Sequence, residues 1–270
     1  MPTRTIHSEG ADLVHDVEGT GPLLLLITGG GGDAARYAGV AAQLAGTCTV
    51  VRYDRRANFR SGGDRHRDLD MRQQARDAAA IIRSLGEEAL VFGNSGGANI
   101  GLQLVLDDPR VVRALVAHEP PVMGLLPDSG EWFAYIDRIY ALYLEQGPLY
   151  AMQRFTSDIV GTEPVDPGRD PGTYSHEPAD DWEFFLAHEY RPISKYTPDL
   201  GGLTGSTTPI ALAAGVDSGD AYYARTARLV AERCGLPFVE FPGHHTSHNN
   251  PDRYAPAIRS AFSRLGQGAL

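Results

Sequence analysis

The sequence predicts a doubly wound, mostly parallel α/β fold with an inserted helical cap. Short apolar runs alternate along the chain with segments of helical spacing, which is typical of parallel strands joined by crossover helices. The chain has 270 residues, a common size for a single α/β domain, so one domain with an insertion is favoured over two domains. An aromatic-rich stretch between the fourth and fifth apolar runs indicates the insertion. We therefore predict a core formed by residues 1–120 and 209–270 and a cap formed by residues 121–208.

Six apolar runs predict the parallel strands of the core. Residues 23–27 (LLLLI) form a continuous apolar run followed closely by four consecutive glycines, as expected of a strand buried on both faces. Residues 4–20 alternate weakly and contain Gly10 and Gly19, which predicts an N-terminal β-hairpin. The other strands are predicted at residues 49–53, 89–92, 111–117, 210–214 and 238–241, with core helices at residues 70–85 and 98–106.

The segment between the fourth and fifth strands differs in composition from the rest of the chain. Residues 129–146, 148–160 and 178–190 have helical spacing and are separated by loops that contain proline and glycine. The segment contains both tryptophans, Trp132 and Trp182, and many of the other aromatic residues. Aromatic residues on helices mostly serve packing, so we interpret this segment as a helical cap that packs on the core.

Composition disfavours several classes of partner. The formal net charge is -10 and no basic block occurs, which argues against binding to the backbone of nucleic acids. Cys48 and Cys234 lie far apart without metal-ligand spacing, as expected of reduced cysteines in a reducing compartment. The N-terminus is polar, and the longest apolar run is too short for a membrane span. A strong excess of arginine over lysine is typical of GC-rich bacterial genomes, so we predict a bacterial, cytoplasmic protein that binds a small molecule and neither nucleic acid nor membrane.

The third parallel strand leads directly into a candidate nucleophile. Residues 93–97 (GNSGG) match the pattern G-x-S-x-G, with an apolar strand before it and a helical segment after it. In this pattern the serine lies on a sharp strand-to-helix turn, and small residues two positions away on either side let the strand and the helix approach closely. The helix N-terminus favours the negative charge that develops on a substrate. Ser95 is therefore predicted to be a catalytic nucleophile.

Two further segments resemble a known family. Residues 53–61 (YDRRANFRS) are similar to the D-x-R-G-x-G-x-S loop of the α/β-hydrolase superfamily, although Ala57 and Phe59 replace the glycines of that pattern. Residues 108–116 resemble the helix-to-strand junction that follows the nucleophile in this family. The resemblance extends over essentially the whole chain, and it implies an α/β-hydrolase fold and acyl transfer without a metal or an organic cofactor. The two replacements lead us to expect a somewhat different path for the 53–61 loop.

The resemblance also implies a general base near the C-terminus. Residues 243–251 (GHHTSHNNP) follow the last strand, and members of the family have Gly-His here with a proline seven residues after the histidine. Pro251 lies seven residues after His244, which favours His244 as the base that accepts the serine proton. His245 and His248 are then expected to be loop or pocket-lining residues. No carboxylate or cysteine completes a zinc site in this loop, so no metal is predicted.

Three carboxylates are candidates for the acid that orients the histidine. The resemblance places this acid after the fifth parallel strand, where Asp217 is favoured although it lies one residue away from the G-x-x-D pattern of the family. Glu119 follows the fourth strand, a position that some α/β-hydrolases use, and it is the alternative acid. Asp220 is a third candidate, and a solvated loop position suits it better.

Two backbone N–H groups are needed to stabilise the oxyanion of an acyl-transfer reaction. Gly96, immediately after the nucleophile, is predicted to supply one of them. The glycine run at residues 29–32 is predicted to supply the other, through Gly30 in preference to Gly31. Glycine suits this position because the backbone must approach the substrate without an intervening side chain. Thr28 stands where the family commonly has histidine.

The predicted function is hydrolysis of a small apolar or aromatic ester, thioester or lactone through an acyl-enzyme on Ser95. C–C bond hydrolysis, lyase or cyclase activity on the same fold is an alternative. A non-catalytic small-molecule receptor is an alternative of another class. It is disfavoured because candidates for the nucleophile, the base and the acid of a catalytic triad are all present.

A nicotinamide-dependent oxidoreductase is a further alternative. Gly29, Gly31 and Ala34 match G-x-G-x-x-A after a strand, and Asp54 ends the next strand, as in a dinucleotide-binding fingerprint. Two observations argue against it. Asp54 lies within the hydrolase-like loop, and the position four residues before Lys195 is not the tyrosine that a short-chain dehydrogenase requires.

Overall fold

The computed structural model describes residues 2–86, 88–159 and 179–268 of the chain. Within these ranges, eight strands form one sheet in the order β1-β2-β4-β3-β5-β6-β7-β8. The strands span Thr3–Ser8 (β1), Ala11–Glu18 (β2), Leu23–Ile27 (β3), Thr49–Tyr53 (β4), Ala89–Asn94 (β5), Val112–His118 (β6), Ile210–Gly215 (β7) and Phe238–Phe241 (β8). The predicted hairpin and the six predicted parallel strands are therefore confirmed, with shifts of one or two residues at some ends.

The parallel part of the sheet determines where functional side chains can meet. Strands β3 to β8 are parallel to their neighbours, and the β1–β2 hairpin joins the sheet through an antiparallel pairing of β2 with β4. Because the carboxyl ends of parallel strands lie at one edge of a sheet, the segments that follow these strands converge there. The glycine run follows β3, Ser95 follows β5, Glu119 follows β6, and Asp217 lies beyond β7.

Helices cover both faces of the sheet, as expected for a doubly wound fold. The core helices span Ala38–Leu44 (α1), Met71–Leu85 (α2), Gly96–Asp107 (α3), Tyr222–Cys234 (α9) and Pro251–Arg264 (α10). Successive side chains of a strand point to opposite faces. In β3, Leu25 and Ile27 belong to the apolar cluster formed with α2, α3 and α9, whereas Leu24 and Leu26 belong to the cluster formed with α1 and α10. Burial on both faces explains the uninterrupted apolar run.

Between β6 and β7 the chain forms a set of helices that we call the cap. The cap helices span Ser129–Gln146 (α4), Pro148–Ser157 (α5), Ala179–Phe184 (α6), Tyr190–Lys195 (α7) and Leu200–Thr204 (α8), and a π-helical turn, Phe185–Glu189, lies between α6 and α7. The helix predicted at 129–146 is confirmed. The helix predicted at 148–160 ends at Ser157, and the one predicted at 178–190 is longer and contains the π-turn; residues 160 and 178 lie outside the described residues. The cap aromatics pack in an apolar cluster that also includes Tyr222 and Tyr223 of α9.

Two other expectations concern the loop after β4 and the membrane. Ala57 has a φ of 62° and Phe59 a φ of 45°, both in the left-handed region that glycine adopts most easily. The expected change of path for this loop therefore finds no support in these two dihedral angles, since both positions keep the conformation that glycine favours. No described helix is both long enough and apolar enough to cross a membrane.

Candidate active site

Ser95 lies on a strained turn between β5 and α3. Its φ of 56° and ψ of −126° are sparsely populated for residues other than glycine. A Cβ atom at Gly93 would collide with the carbonyl oxygen of Gly97, and one at Gly97 would collide with the carbonyl oxygen of Ile27. Both glycines of the G-x-S-x-G pattern are therefore required by close backbone contacts. The local sequence and its packing together hold the serine in this conformation.

The start of α3 lies directly after Ser95 and contributes to the electrostatics of the site. Gly96 is the first residue of this helix, so its N–H has no acceptor within the helix. The unpaired N–H groups of the first turn and the helix dipole favour negative charge at this end. A Cβ atom at Gly96 would lie 2.9 Å from Cδ1 of Ile193 in the cap, so a cap side chain covers this N-terminus closely.

Glu119 forms a buried hydrogen bond with His245. The residue directly follows β6, has a φ of 51°, and its side chain is fully buried. Oε2 of Glu119 lies 2.6 Å from Nδ1 of His245, and Oε1 accepts a hydrogen bond of 2.9 Å from the backbone N–H of Gly215. Burial alone would raise the pKa of Glu119, but interactions with His118, His245 and Ser218 outweigh it and lower the pKa to about 2. Glu119 is therefore a carboxylate at neutral pH.

The charge state of Glu119 determines the tautomer of His245. A carboxylate can only accept hydrogen bonds, so Nδ1 of His245 carries the hydrogen of this bond. In the neutral imidazole, Nε2 is then the free acceptor nitrogen. The ring of His245 packs on Tyr223 with 4.2 Å between ring centroids, which further restricts its orientation. The histidine is thus oriented by one hydrogen bond and one ring contact.

Asn94 connects the segments that carry Ser95, Glu119 and His245. Its Nδ2 donates a hydrogen bond of 3.2 Å to the carbonyl oxygen of His245. Its Oδ1 lies 2.8 Å from Nδ1 of His118, the residue before Glu119. Asn94 also directly precedes Ser95, whose backbone N–H donates to the carbonyl oxygen of His118 at 2.9 Å. A single buried amide therefore links the ends of β5 and β6 to the histidine loop.

The structure does not pair the predicted base His244 with the predicted acid Asp217. Asp217 is exposed, and its carboxylate has no hydrogen-bond or ion-pair partner among the described residues. His244 is half-buried, and its Nδ1 lies 3.2 Å from the hydroxyl of Thr246. The G-x-x-D pattern assumed an acid beyond β7, whereas the carboxylate that contacts a histidine of the loop after β8 lies at the end of β6. The one-residue mismatch at Asp217 was the sequence signal that pointed away from it.

The geometry supports no catalytic role for Asp220 or His248. Asp220 is exposed to solvent. His248 is buried against the ring of Tyr37, at 5.4 Å between ring centroids. Burial, reinforced by the charge of Arg36, lowers the pKa of His248 to about 3. His248 is therefore a neutral packing residue at physiological pH.

The glycine run after β3 passes close to Ser95. A Cβ atom at Gly29 would lie 2.8 Å from Cβ of Ser95, and one at Gly30 would collide with the ring of Phe185 in the cap. The N–H of Gly31 donates a hydrogen bond of 3.0 Å to Oε2 of Glu189 and is thereby occupied. The N–H of Gly30 has no acceptor among the residues that the structure describes. Of the two glycines considered from the sequence, Gly30 is the one with a free donor.

Comparison with known proteins identifies the family. A sequence model of the alpha/beta hydrolase family matches residues 24–257. The chain belongs to this family. The uncharacterized hydrolase YraK of Bacillus subtilis is 30% identical over 250 residues, which cover 90% of this chain and 89% of YraK.

Solved structures of the family agree with the described architecture. An alpha/beta hydrolase from Sphaerobacter thermophilus superposes with a TM-score of 0.72 at 25% identity, covering 96% of this chain and all (100%) of that one. The enol-lactonase from Burkholderia xenovorans superposes with a TM-score of 0.69 at 16% identity, covering 96% of this chain and 100% of that one. The second likeness is one of fold alone. Together with the family match, these likenesses establish the α/β-hydrolase fold.

The contacts of Asp54 in this α/β hydrolase bear on the dinucleotide-binding alternative, in which this carboxylate would bind a ribose. Oδ1 of Asp54 accepts a hydrogen bond of 2.8 Å from the N–H of Ala34, and Oδ2 accepts one of 2.5 Å from Nε of Arg60. Both carboxylate oxygens are thus bound within the protein, and the side chain is buried. A ribose hydroxyl would have to displace these internal donors, which disfavours the oxidoreductase alternative.

Proposed function

We propose that this α/β hydrolase cleaves a small apolar or aromatic ester, thioester or lactone by acyl transfer. The proposed triad is Ser95 as nucleophile, His245 as general base and Glu119 as the orienting acid. The observation that carries the proposal is the buried 2.6 Å contact between Nδ1 of His245 and Oε2 of Glu119, beside the strained turn of Ser95. His245 and Glu119 replace His244 and Asp217 in this proposal, because a base and an acid must touch to act together.

The proposed reaction proceeds through an acyl-enzyme. Oγ of Ser95 attacks the carbonyl carbon while Nε2 of His245 accepts the hydroxyl proton. The negative charge of Glu119 stabilises the imidazolium that forms, and the N–H groups of Gly96 and Gly30 stabilise the oxyanion. His245 then gives its proton to the leaving group. A water molecule attacks the acyl-enzyme with His245 again as base, which releases the acid and restores Ser95.

The surroundings of the oxyanion hole support an apolar or aromatic substrate. Phe185 covers Gly30 and Ile193 covers Gly96, so two apolar cap side chains border the reacting carbonyl in this proposal. Burial of apolar surface contributes to binding by about 25 cal/mol for each Å² removed from water. We further propose that the substrate is a small molecule and that the protein acts in the cytoplasm, where its free buried cysteines Cys48 and Cys234 stay reduced.

Labelling with a fluorophosphonate tests the proposed nucleophile. Such a reagent reacts with a serine whose hydroxyl is activated by a neighbouring base, whatever the natural substrate. We expect a single label on the peptide that contains Ser95, identified by mass spectrometry, and none on the matched Ser95→Ala variant. Hydrolysis of a panel of p-nitrophenyl esters, thioesters and lactones then measures the preferred bond. A label that persists in Ser95→Ala, or ester hydrolysis that this substitution leaves undiminished, would contradict the proposal.

A further inference from the structure

A buried ion pair joins the loop after β4 to the cap. Nη1 of Arg55 donates a hydrogen bond of 2.8 Å to Oε1 of Glu189, and Nη2 donates one of 2.8 Å to Oε2. The side chains are 0% and 1% exposed, respectively, so both charges are removed from solvent. Glu189 is the last residue of the π-helical turn Phe185–Glu189, a rare helical form that often marks functional positions. Nothing in the reaction described above uses this pair.

The pair also forms hydrogen bonds with the residues before and after Gly30, whose N–H is the proposed oxyanion donor. Nε and Nη2 of Arg55 donate hydrogen bonds of 3.2 and 2.9 Å to the carbonyl oxygen of Gly29. Glu189 accepts the N–H of Gly31 at 3.0 Å. Gly30 therefore lies between two backbone groups that the ion pair holds. The guanidinium and the carboxylate act on neighbouring peptide units of one glycine run.

Peptide geometry converts these contacts into an orientation for the Gly30 N–H. The carbonyl of Gly29 and the N–H of Gly30 belong to one planar trans peptide unit, in which they point in opposite directions. Holding the Gly29 carbonyl against Arg55 therefore directs the Gly30 N–H away from Arg55. Glycine has no side chain to restrict rotation of this unit, and within the run the Gly29 carbonyl accepts one long hydrogen bond of 3.3 Å from the N–H of Gly32. The two bonds from Arg55 are shorter and add a second anchor from outside the run.

We propose that Arg55 and Glu189 are positioning residues that fix the Gly30 N–H in the oxyanion hole and make its orientation depend on docking of the cap. This inference rests on the proposed function. Glu189 contributes from the cap and Arg55 from the core, so the oxyanion donor has its full orientation only when the two parts are joined.

The environment of Glu189 accepts a carboxylate and no other side chain of the same size. Oε1 accepts from Arg55 and from Nδ2 of Asn58 at 2.9 Å, while Oε2 accepts from Arg55 and from Gly31. All four of these groups, from three residues, are hydrogen-bond donors. Glutamine has the same shape, but whichever way its amide is turned, its NH₂ group faces two donors. Glu189→Gln is therefore a minimal change that disturbs this site without removing a side chain.

Other contacts between the cap and the core provide a matched control. Asp181 of the cap forms an ion pair with Arg65 of the loop after β4 at 3.2 Å, and within the described part of the chain neither side chain forms a hydrogen bond with the glycine run. Asp181→Asn removes this one ion pair between cap and core, while the Arg55–Glu189 pair still joins the two parts at the glycine run, so the Gly30 peptide is expected to stay held. Comparison of Glu189→Gln with Asp181→Asn separates orientation of the oxyanion donor from attachment of the cap.

The test compares a p-nitrophenyl ester with the matched thionoester, in which sulfur replaces the carbonyl oxygen. Sulfur is a weak hydrogen-bond acceptor, so the thionoester gains little from an oxyanion hole. Loss of one oxyanion donor lowers kcat by about 10²–10³-fold. For partial misorientation in Glu189→Gln we expect a loss of about 10–100-fold in kcat for the ester, a KM changed by less than about 3-fold, and a much smaller loss for the thionoester. Asp181→Asn should leave the ester-to-thionoester ratio of kcat/KM unchanged.

A constant ratio in Glu189→Gln, with both substrates losing activity equally, would overturn the proposal and leave the pair a purely structural role. Arg55→Lys is a second variant that keeps the charge but lacks the two-pronged guanidinium, and it should lower the ratio in the same way. If neither variant folds, a crystal structure of the wild-type boronic acid adduct decides: the boronate oxygen should contact the N–H of Gly30, and contact with Gly31 instead would refute the assignment. Failure of the proposed function is distinct, since wild-type protein would then hydrolyse no ester.

Discussion

The ends of the neighbouring strands β6 and β7 each lead to an acidic side chain, and the two side chains have opposite surroundings. Glu119, after β6, is fully buried and is bound by His245 and by the N–H of Gly215. Asp217, two residues past β7, is exposed and has no side-chain partner among the described residues. The strands pair in parallel, so their carboxyl ends lie at the same edge of the sheet. The two acidic side chains nevertheless differ in burial and in hydrogen bonding, the two properties that let a carboxylate orient a base.

The difference shows that burial and donors define the acid more strongly than its position along the chain. A buried carboxylate is costly unless hydrogen bonds compensate its lost hydration, and Glu119 has donors for both oxygens. An exposed ion pair contributes only about 0–1 kcal/mol to the free energy of unfolding, so an exposed carboxylate is held weakly even when it is paired. The end of β7 still contributes to the site, because Gly215 supplies one of the donors to Glu119. In this protein β7 supports the acid through its backbone, and β6 carries it.

The two histidines give the largest contrast between the strand ends. His245 contacts Glu119, whereas the backbone of His244 lies against the end of β7, since a Cβ atom at Gly215 would be 2.8 Å from Cα of His244. We expect His245→Ala to lower kcat for the best ester by about 10⁶-fold, the cost of removing a triad histidine. His244→Ala is the matched control and should keep activity within about one order of magnitude. The reverse result would restore His244 as the base.

Replacement of the two acids should have a smaller but still large contrast. Glu119→Gln keeps the size of the side chain but removes the negative charge that orients and stabilises His245. We expect a loss of about 10⁴-fold in kcat with little change in KM, as for an orienting carboxylate exchanged for its amide. Asp217→Asn changes an exposed side chain and should leave both constants within about 2-fold. Steady-state kinetics of the two variants on one ester decides, and equal losses would mean that the two strand ends share the role.

The strands of the fold could be predicted from the sequence, for a local reason, whereas the helices at Ala38–Leu44, Tyr222–Cys234 and Pro251–Arg264 were not predicted. Strands buried on both faces require continuous apolar runs, and residues 23–27 and 89–92 show this pattern without any knowledge of their neighbours. The π-helical turn at Phe185–Glu189 was missed, and the partners of its last residue, Glu189, are Arg55 and Gly31, which lie far away in sequence. Periodicity alone describes this stretch as part of an ordinary helix.

The site was predictable only where its chemistry depends on neighbours in sequence. The turn of Ser95 needs glycines two residues away on either side, so a short pattern located it. The choice between His244 and His245 depends on contacts with Asn94 and Glu119, which come from other strands. The proline spacing assumed that the family register holds at this loop. Adjacent histidines differ by one residue in sequence but point to different partners in space, and only tertiary structure separates them.

The smallest expected effect concerns acid stability, and it again distinguishes the two strand ends. Burial lowers the pKa of His118, at the end of β6, from 6.5 to about 4, and the nearby charge of Glu119 opposes this shift only in part. The unfolded chain therefore binds a proton that the folded protein rejects between pH 6.5 and 4, so stability is complete above pH 6.5 and falls as the pH decreases towards 4. Since one pKa unit corresponds to 1.36 kcal/mol, His118 should cost about 2 kcal/mol of unfolding free energy on going from pH 7 to pH 5.

Urea unfolding at pH 7 and pH 5 measures the contribution of His118 to the free energy of unfolding. The wild-type protein and Asp217→Asn should lose stability equally on acidification, because the exposed carboxylate beyond β7 has no partner to lose. His118→Gln should lose about 2 kcal/mol less between pH 7 and pH 5, even if its stability at pH 7 is lower through the changed contact with Asn94. An unchanged pH dependence in His118→Gln would mean that the end of β6 relaxes to admit the proton. In that case the fully buried surroundings described for Glu119 would also relax, because His118 and Glu119 are adjacent and both fully buried.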